Sequence, residues 1–225
     1  MSVSKNWLII GTSHVSSDSI LEIRKSFEEF DPDIVAVELD PSRLRALQKK
    51  AKGSSLNFKA VMQVGLSGFI FALVGGFIQR FLGKKLNMRP GQDMFEAVKL
   101  AMKNEKRAAL VDRDISLTLK YFSKKVPLRE KGRIVKDLLL APFQRKKVKL
   151  DISKVPEEKI IDKLVDELKG RYPVMHEVLL TSRNEIMAKR IIKLLNDNEN
   201  SKVMIVVGAA HKKGVEEILS KRISK

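Results

Sequence analysis

The chain holds three histidines, and two of them stand in the same local setting. His14 closes the run Gly11-Thr12-Ser13-His14, and His211 closes Gly208-Ala209-Ala210-His211. Each run follows a short aliphatic stretch, Trp7-Leu8-Ile9-Ile10 in the first case and Val203-Met204-Ile205-Val206-Val207 in the second. Small residues after a strand permit a tight turn that leaves the imidazole at the sheet edge. Two more aliphatic runs end on charge: Ile34-Val35-Ala36-Val37 leads into Glu38-Leu39-Asp40, and Ala108-Ala109-Leu110-Val111 leads into Asp112-Arg113-Asp114. Open parallel sheets bind ligands at the carboxyl ends of their strands. If the first and last strands are neighbours, His14 and His211 lie side by side, and with Glu38 they form a set able to hold a divalent metal. The chain has no cysteine, so nitrogen and oxygen must be the ligands, which suits Mn, Fe, Co, Ni or Zn. Such a metal would activate a water for hydrolysis. A metal-free version uses His14 as general base with Glu38 orienting it. The plainer reading makes each Gly-x-x-His a strand-to-helix turn with a capping histidine. The duplication, with a glutamate at the end of a buried strand, favours a shared site. No organic cofactor is expected.

The remaining candidates are more ambiguous. Asp114 is placed to cap a helix starting at Ile115, and Arg113 is placed to anchor a carboxylate or oxyanion through its guanidinium fork. Arg183 and Asn184 sit on a helical stretch with Met187 and Arg190 and say little alone. His176 has no partner motif and reads as structural or solvated.

The elements that must position these residues follow from periodicity. The four aliphatic runs have the continuous character of strands buried on both faces. Helix-like segments lie between them: residues 16–30 with Ile20, Ile23, Phe27 and Phe30 apolar; a helix opened by Pro41; residues 91–106; residues 134–140; residues 156–168; residues 177–195; and residues 214–223. Strand and helix in alternation predict an α/β fold with a largely parallel central sheet flanked by helices. A single domain over 1–225 is expected, with helical insertions at 57–90 and 120–170. Residues 61–78 are uncharged and close to the length of a membrane span. A span there would separate the strand at Val37 from the strand at Val111 and break the sheet. The reading is therefore a helix pair broken at Gly75-Gly76, buried or presenting an apolar groove.

Composition narrows the classes. Of 225 residues, 44 are Lys or Arg and 27 are Asp or Glu, giving a net charge of +17, with 44% hydrophobic residues. That apolar fraction excludes a disordered polycation, and the missing cysteines exclude a disulfide framework. Strong positive charge often marks nucleic-acid or membrane-surface binding. Here the bases are spread along the chain, and only two Tyr and one Trp are available for base stacking. Solvated Lys-rich helix faces explain the charge better, with nucleic acid ranked below an anionic membrane surface as partner. The first five residues lack the pattern of a signal peptide, so a cytoplasmic protein, with or without membrane association, is expected. A homo-oligomer is left open.

Six motifs together resemble the TraB/PrgY family of pheromone-shutdown proteins. They are GTSHVS at 11–16, VAVELDPSR at 35–43, RPGQDMFEA at 89–97, LVDRDISLTLK at 110–120, SRNEIMA at 182–188 and VVGAAHKKGV at 206–215. The wider superfamily includes Tiki proteins, which are metal-dependent proteases, together with GumN-like, haem-binding ChaN-like and erythromycin esterase proteins. The resemblance implies a Tiki/erythromycin esterase/ChaN-like core with the paired Gly-x-x-His motifs at the active site. Motif by motif, it carries His14, Glu38 and His211 over as metal-binding and catalytic positions. Arg43, Arg113 and Asn184 are carried over as polar, substrate-facing positions. Asp93 and Ser182 stand where many relatives have glutamate. Relatives often continue into hydrophobic membrane segments, and a trimmed C-terminal region is left open. The expected function is a metal-dependent, peptidase-like hydrolase using Mn, Co, Fe or Zn, with residues 61–78 walling an apolar peptide substrate. Two alternatives stand beside it: a non-catalytic regulator that sequesters a peptide, and a basic protein that binds an anionic membrane surface or nucleic acid.

Overall fold

The computed structural model describes residues 2–3, 6–12, 17–48, 91–140 and 158–223. His14 and the apolar stretch 61–78 lie outside the described residues, as does all of 57–90.

Five strands form one sheet: β1 (Ser2–Val3), β2 (Trp7–Thr12), β3 (Ile34–Val37), β4 (Arg107–Leu110) and β5 (Val203–Gly208). Their spatial order is β1-β2-β5-β3-β4. The short β1 runs antiparallel to β2, and the other four strands are parallel. The helices are α1 (Ser17–Phe30), α2 (Pro41–Gln48), α3 (Gln92–Lys103), α4 (Ile115–Lys125), α5 (Leu128–Leu140), α6 (Glu158–Arg171), α7 (Pro173–His176), α8 (Ser182–Asn196) and α9 (Ala209–Ile223). The predicted α/β fold, a parallel sheet flanked by helices, is the observed one.

Alternation along each strand divides the core into two layers. Ile9, Ile34, Ala36, Ile205 and Val207 face Met187 and Ile191 of α8 and Val215 and Leu219 of α9. Leu8, Ile10, Val35, Val37, Met204 and Val206 face Ile23 and Phe27 of α1 and Met94, Val98 and Ala101 of α3. Because both faces are covered, polar residues have no place inside a strand, which is why the runs read as continuously aliphatic. Fully burying each such side chain contributes about 1.5–3 kcal/mol. A smaller cluster of Phe122, Val126, Ile134, Met175 and Val178 holds α4 and α5 against the chain leading into α8.

Several local features differ from the expected elements: β1 is an addition to them, and α5 begins at Leu128 rather than at residue 134. β4 begins at Arg107, one residue earlier than the aliphatic run, because it is an edge strand that tolerates a charged first residue. The last helix begins at Ala209 rather than near Gly214, since Ala209 and Ala210 are strong helix formers. His211 therefore lies in the first turn of α9. The helix expected over 177–195 is divided: residues Glu177–Thr181 form one π-helical turn, and α8 continues from Ser182. Among the described residues, no helix is long and apolar enough to cross a membrane.

Candidate functional site

β5 lies between β2 and β3, so the carboxyl ends of all three strands open onto one edge. Gly208 pairs with Thr12 across β2 and β5, and Val206 pairs with Val37 across β5 and β3. This register brings Glu38, one residue past β3, to His211, three residues past β5. Glu38 and His211 are 2% and 4% exposed, and His211 Nε2 stands 3.5 Å from Glu38 Oε1.

The turns beyond the strands are fixed by local capping. Asp40 Oδ1 accepts hydrogen bonds from the backbone N–H groups of Ser42, at 2.7 Å, and Arg43, at 3.1 Å. It thereby caps α2, whose first residue is Pro41. Asp114 caps α4 by accepting from the Ser116 N–H at 2.7 Å, as the sequence predicts. The Ser42 hydroxyl donates to Asp114 Oδ2 at 2.9 Å, joining the turn after β3 to the turn after β4.

The residue that organises the cluster is Arg183, which carries little signal in the sequence. Its Nε donates to Asp112 Oδ1 at 3.2 Å, and its Nη2 donates to Asp112 Oδ2 at 2.7 Å and to Glu38 Oε1 at 2.5 Å. Its Nη1 donates to His211 Nε2 at 2.8 Å and to the Leu179 carbonyl at 3.3 Å. A guanidinium has five N–H donors, and these five contacts match them. Burial alone would lower the Arg183 pKa, but the charges of Glu38 and Asp112 and their hydrogen bonds outweigh it and hold the group firmly protonated.

Arg183 also fixes the state of His211. A guanidinium only donates, so Nε2 must offer its lone pair and the ring proton must sit on Nδ1. Nδ1–H then donates to Asn184 Oδ1 at 2.6 Å. His211 is a neutral imidazole with a defined tautomer. Asn184 is in turn held by Gly214 on α9: a Cβ there would collide with the Asn184 side-chain amide. Glu38 is anchored from the other side, its Oε2 accepting from the Gly208 N–H at 2.7 Å.

The π-helical turn before α8 supplies acceptors for neighbouring donors. Its Val178 carbonyl accepts from Arg113 Nη2, at 2.9 Å, and from the Ser182 hydroxyl, at 3.0 Å. Single π turns interrupt the regular hydrogen-bond ladder and are frequent at functional sites. Arg113 is 5% exposed, and its Nε donates to Thr118 at 2.9 Å. Burial, and then the charge of Arg183, push its pKa down. In this state Arg113 braces α4 against the π turn. Arg43 lies apart from the cluster, its guanidinium beneath Gly91, where an added Cβ would stand 3.2 Å from Nη2. Gly91 has a φ of 84°, a left-handed conformation that favours glycine.

Of the residues expected to form the site, Glu38, His211 and Asn184 are therefore brought together, Arg113 borders them through the π turn, Arg43 sits at the N-terminus of α3, and His14 lies outside the described residues. Asp112 and Arg183 complete the cluster. Arg183 had a sequence signal, since it adjoins Asn184 in the same motif. Consecutive helical residues point about 100° apart, so a sequence reading that picks one drops the other; the length of the arginine lets both reach His211. No group of three His, Cys, Asp or Glu among the described residues is set to hold a metal as it stands.

The fold and the site define an α/β protein with a buried carboxylate, arginine and histidine cluster at the carboxyl edge of a parallel sheet. The chain belongs to the TraB/PrgY/gumN family, whose profile matches residues 3–222. It is similar to an uncharacterized protein of Methanocaldococcus jannaschii, at 34% identity over 95% of this chain and 53% of that protein. It is also similar to TraB domain-containing proteins of Mus musculus and Homo sapiens, each at 27% identity over 93% of this chain and 61% of the relative. The chain thus spans only between half and two thirds of the length of these relatives.

Proposed function

We propose that the chain is a hydrolase whose reaction centre is the Glu38 and His211 pair. The observation that carries this reading is the convergence of a buried carboxylate and a neutral, tautomer-fixed imidazole, 3.5 Å apart, at the ligand-binding edge of the sheet. Asn184 accepts the Nδ1 proton, which leaves Nε2 as the basic nitrogen, its lone pair accepting from Arg183. A carboxylate and an imidazole so placed suit proton abstraction from water. Arg183 supplies the positive charge that a developing oxyanion requires. The peptide class of substrate follows the family resemblance rather than the geometry.

The metal part of the reading rests on the family resemblance: among the described residues no three ligands are set to hold an ion, and Glu38 Oε1 and His211 Nε2 are both bound to the Arg183 guanidinium. His14, Glu38 and His211 would hold the metal, here Mn, Co, Fe or Zn. When bound, it would supply a water of lowered pKa.

The test is turnover of fluorogenic peptide and ester libraries by wild type, Glu38→Gln and His211→Ala, with and without added Mn or Zn. General acid–base groups contribute about 10²–10⁴ in rate, and losses of that order are expected in both variants. Turnover unchanged in both would sink the reading. Saturable peptide binding with no turnover in any form would favour the peptide-sequestering alternative.

A further inference from the structure

Residues 115–136, which form α4 and most of α5, hold seven lysines or arginines and a single acid, Glu130. Glu130 is buried and turned inward, accepting from the N–H groups of Met175 at 2.7 Å and Val174 at 3.3 Å in the first turn of α7. Asp137, the next acid along α5, is bound by Arg171. Two of the cations are also used within the fold: Lys131 donates to the Ser123 carbonyl and Arg133 to the Arg171 carbonyl, each at 2.8 Å. Lys120, Lys124, Lys125, Arg129 and Lys136 remain exposed. Apolar side chains are exposed in the same place. α4 turns Thr118 and Phe122 inward. Its opposite side presents Leu117 and Tyr121, one turn apart and 48% and 47% exposed, between Lys120 and Lys124 on one flank and Lys125 on the other. Leu128, where the chain turns into α5, is 74% exposed, the highest value for a large hydrophobic side chain among the described residues. The centroid of the Tyr121 ring lies 5.2 Å from the Arg113 guanidinium and 5.7 Å from Lys125 Nζ, so the ring is held by two cations at the edge of the patch.

We propose that the corner formed by α4 and the start of α5 is a docking surface for an anionic lipid bilayer. A single exposed leucine is ordinary. Here two leucines and a tyrosine share one surface with five cations that have no acidic residue beside them in the segment. Charge complementarity selects an anionic partner, and the apolar residues select among anionic partners. Each lysine near an anionic membrane strengthens binding about fivefold, while leucine and tyrosine side chains enter the boundary between headgroups and acyl chains. Long lysine stems let the ammonium groups reach the headgroups while the apolar side chains sit deeper. A nucleic acid would use the same cations but would leave Leu117 and Leu128 in water, with Tyr121 alone available for stacking. The inference stands apart from the hydrolase reading, since none of these patch residues belongs to the Glu38 and His211 cluster.

The experiment sediments the full chain with vesicles of phosphatidylcholine alone and of phosphatidylcholine mixed with phosphatidylglycerol, at low and at physiological salt. Binding of a DNA duplex is measured alongside by fluorescence anisotropy. Wild type is compared with Lys120→Glu plus Lys124→Glu, with Leu117→Ser plus Leu128→Ser, and with Lys163→Glu plus Lys221→Glu, a pair of exposed lysines outside the patch. All six positions are exposed, and circular dichroism checks that each variant keeps the fold. Wild type is expected to bind the mixed vesicles and to bind them more weakly as salt rises. The Lys120 and Lys124 pair should lose at least tenfold in affinity, and the Lys163 and Lys221 pair clearly less. The Leu117 and Leu128 pair should lose vesicle binding at physiological salt while its DNA binding stays at the wild-type level. Equal binding to neutral and mixed vesicles overturns the proposal, because attachment through the uncharged residues 61–78 would not depend on lipid charge. An equal loss in both lysine pairs overturns it by making net charge, and not this corner, the cause. Vesicle binding unchanged in the leucine pair, with tight DNA binding, overturns it in favour of a nucleic-acid surface. No binding of wild type to the mixed vesicles at either salt overturns it outright.

Discussion

At the scale of single residues, the site is a chain of dependence that ends on glycine. Gly214 leaves room for Asn184, Asn184 accepts the Nδ1–H of His211, and Arg183 donates to Nε2. Asn184→Ala removes the acceptor from a buried N–H, which costs about 1–3 kcal/mol. Chemical denaturation should show that loss, while ¹⁵N NMR of the His211 ring should still show the Nδ1–H tautomer, because Arg183 continues to donate to Nε2. Asn184→Asp keeps an oxygen at the same place and should retain the Nδ1–H form. A mixture of tautomers in Asn184→Ala would show that Arg183 does not fix the ring by itself. Sequence made part of this legible. His211 and Glu38 announce themselves as polar residues ending aliphatic runs, and Asn184 by its motif. Arg183 did so only as the neighbour of Asn184 in that motif, because nothing local distinguishes a helical arginine that reaches inward from one that is solvated.

At the scale of elements, two helical glycines make opposite predictions. Glycine in a helix interior is about 0.8–1.0 kcal/mol less favourable than alanine. A Cβ added at Gly132 in α5 would meet nothing within 4 Å, so Gly132→Ala should raise stability by about that amount. Gly214 in α9 obeys the same propensity, yet Gly214→Ala drives a methyl into Asn184 and should lower stability by about 1–3 kcal/mol through overpacking. Urea midpoints of the two variants moving in the same upward direction would mean that Asn184 yields without cost. The π turn belongs to this scale as well. A continuous amphipathic pattern over 177–195 predicts one helix, and the apolar positions are the same for either backbone. The π register is visible only in tertiary contacts, where Val178 and Leu179 carbonyls meet Arg113 and Arg183.

At the scale of the whole molecule, acid should destabilise the protein in two stages. His176, at the end of α7, has its pKa lowered below 6.5, first by burial and then by the charge of Lys169. Above pH 6.5 the ring is neutral in the folded and unfolded chains alike. As pH falls below that value the unfolded chain takes up the proton first, so stability drops until the folded ring also protonates. Asp114, through its hydrogen bonds to Ser116, and Asp137, through its hydrogen bond from Arg171, are held below the ordinary 3.8. Their contribution is present above pH 3.8 and is lost as pH falls through their folded values. The urea midpoint followed from neutral pH downward should show both stages, and His176→Gln should remove the first while leaving the second. A first stage that persists in His176→Gln would assign it to another group.

The amino-acid sequence by itself determined the four parallel strands, the polar residues that end them and the family. Those properties are local: a strand covered on both faces must be aliphatic throughout, and its end must return to polarity. Which strand lies beside which was decided only by the tertiary structure. β5 enters between β2 and β3 because both faces of three aliphatic strands must be covered by helices distant in sequence. That placement sets Glu38 against His211. It also gives Arg183, from the far side of the π turn, two buried carboxylates to neutralise and an imidazole to hold. A long-range electrostatic demand of this kind leaves no periodicity for a sequence to display.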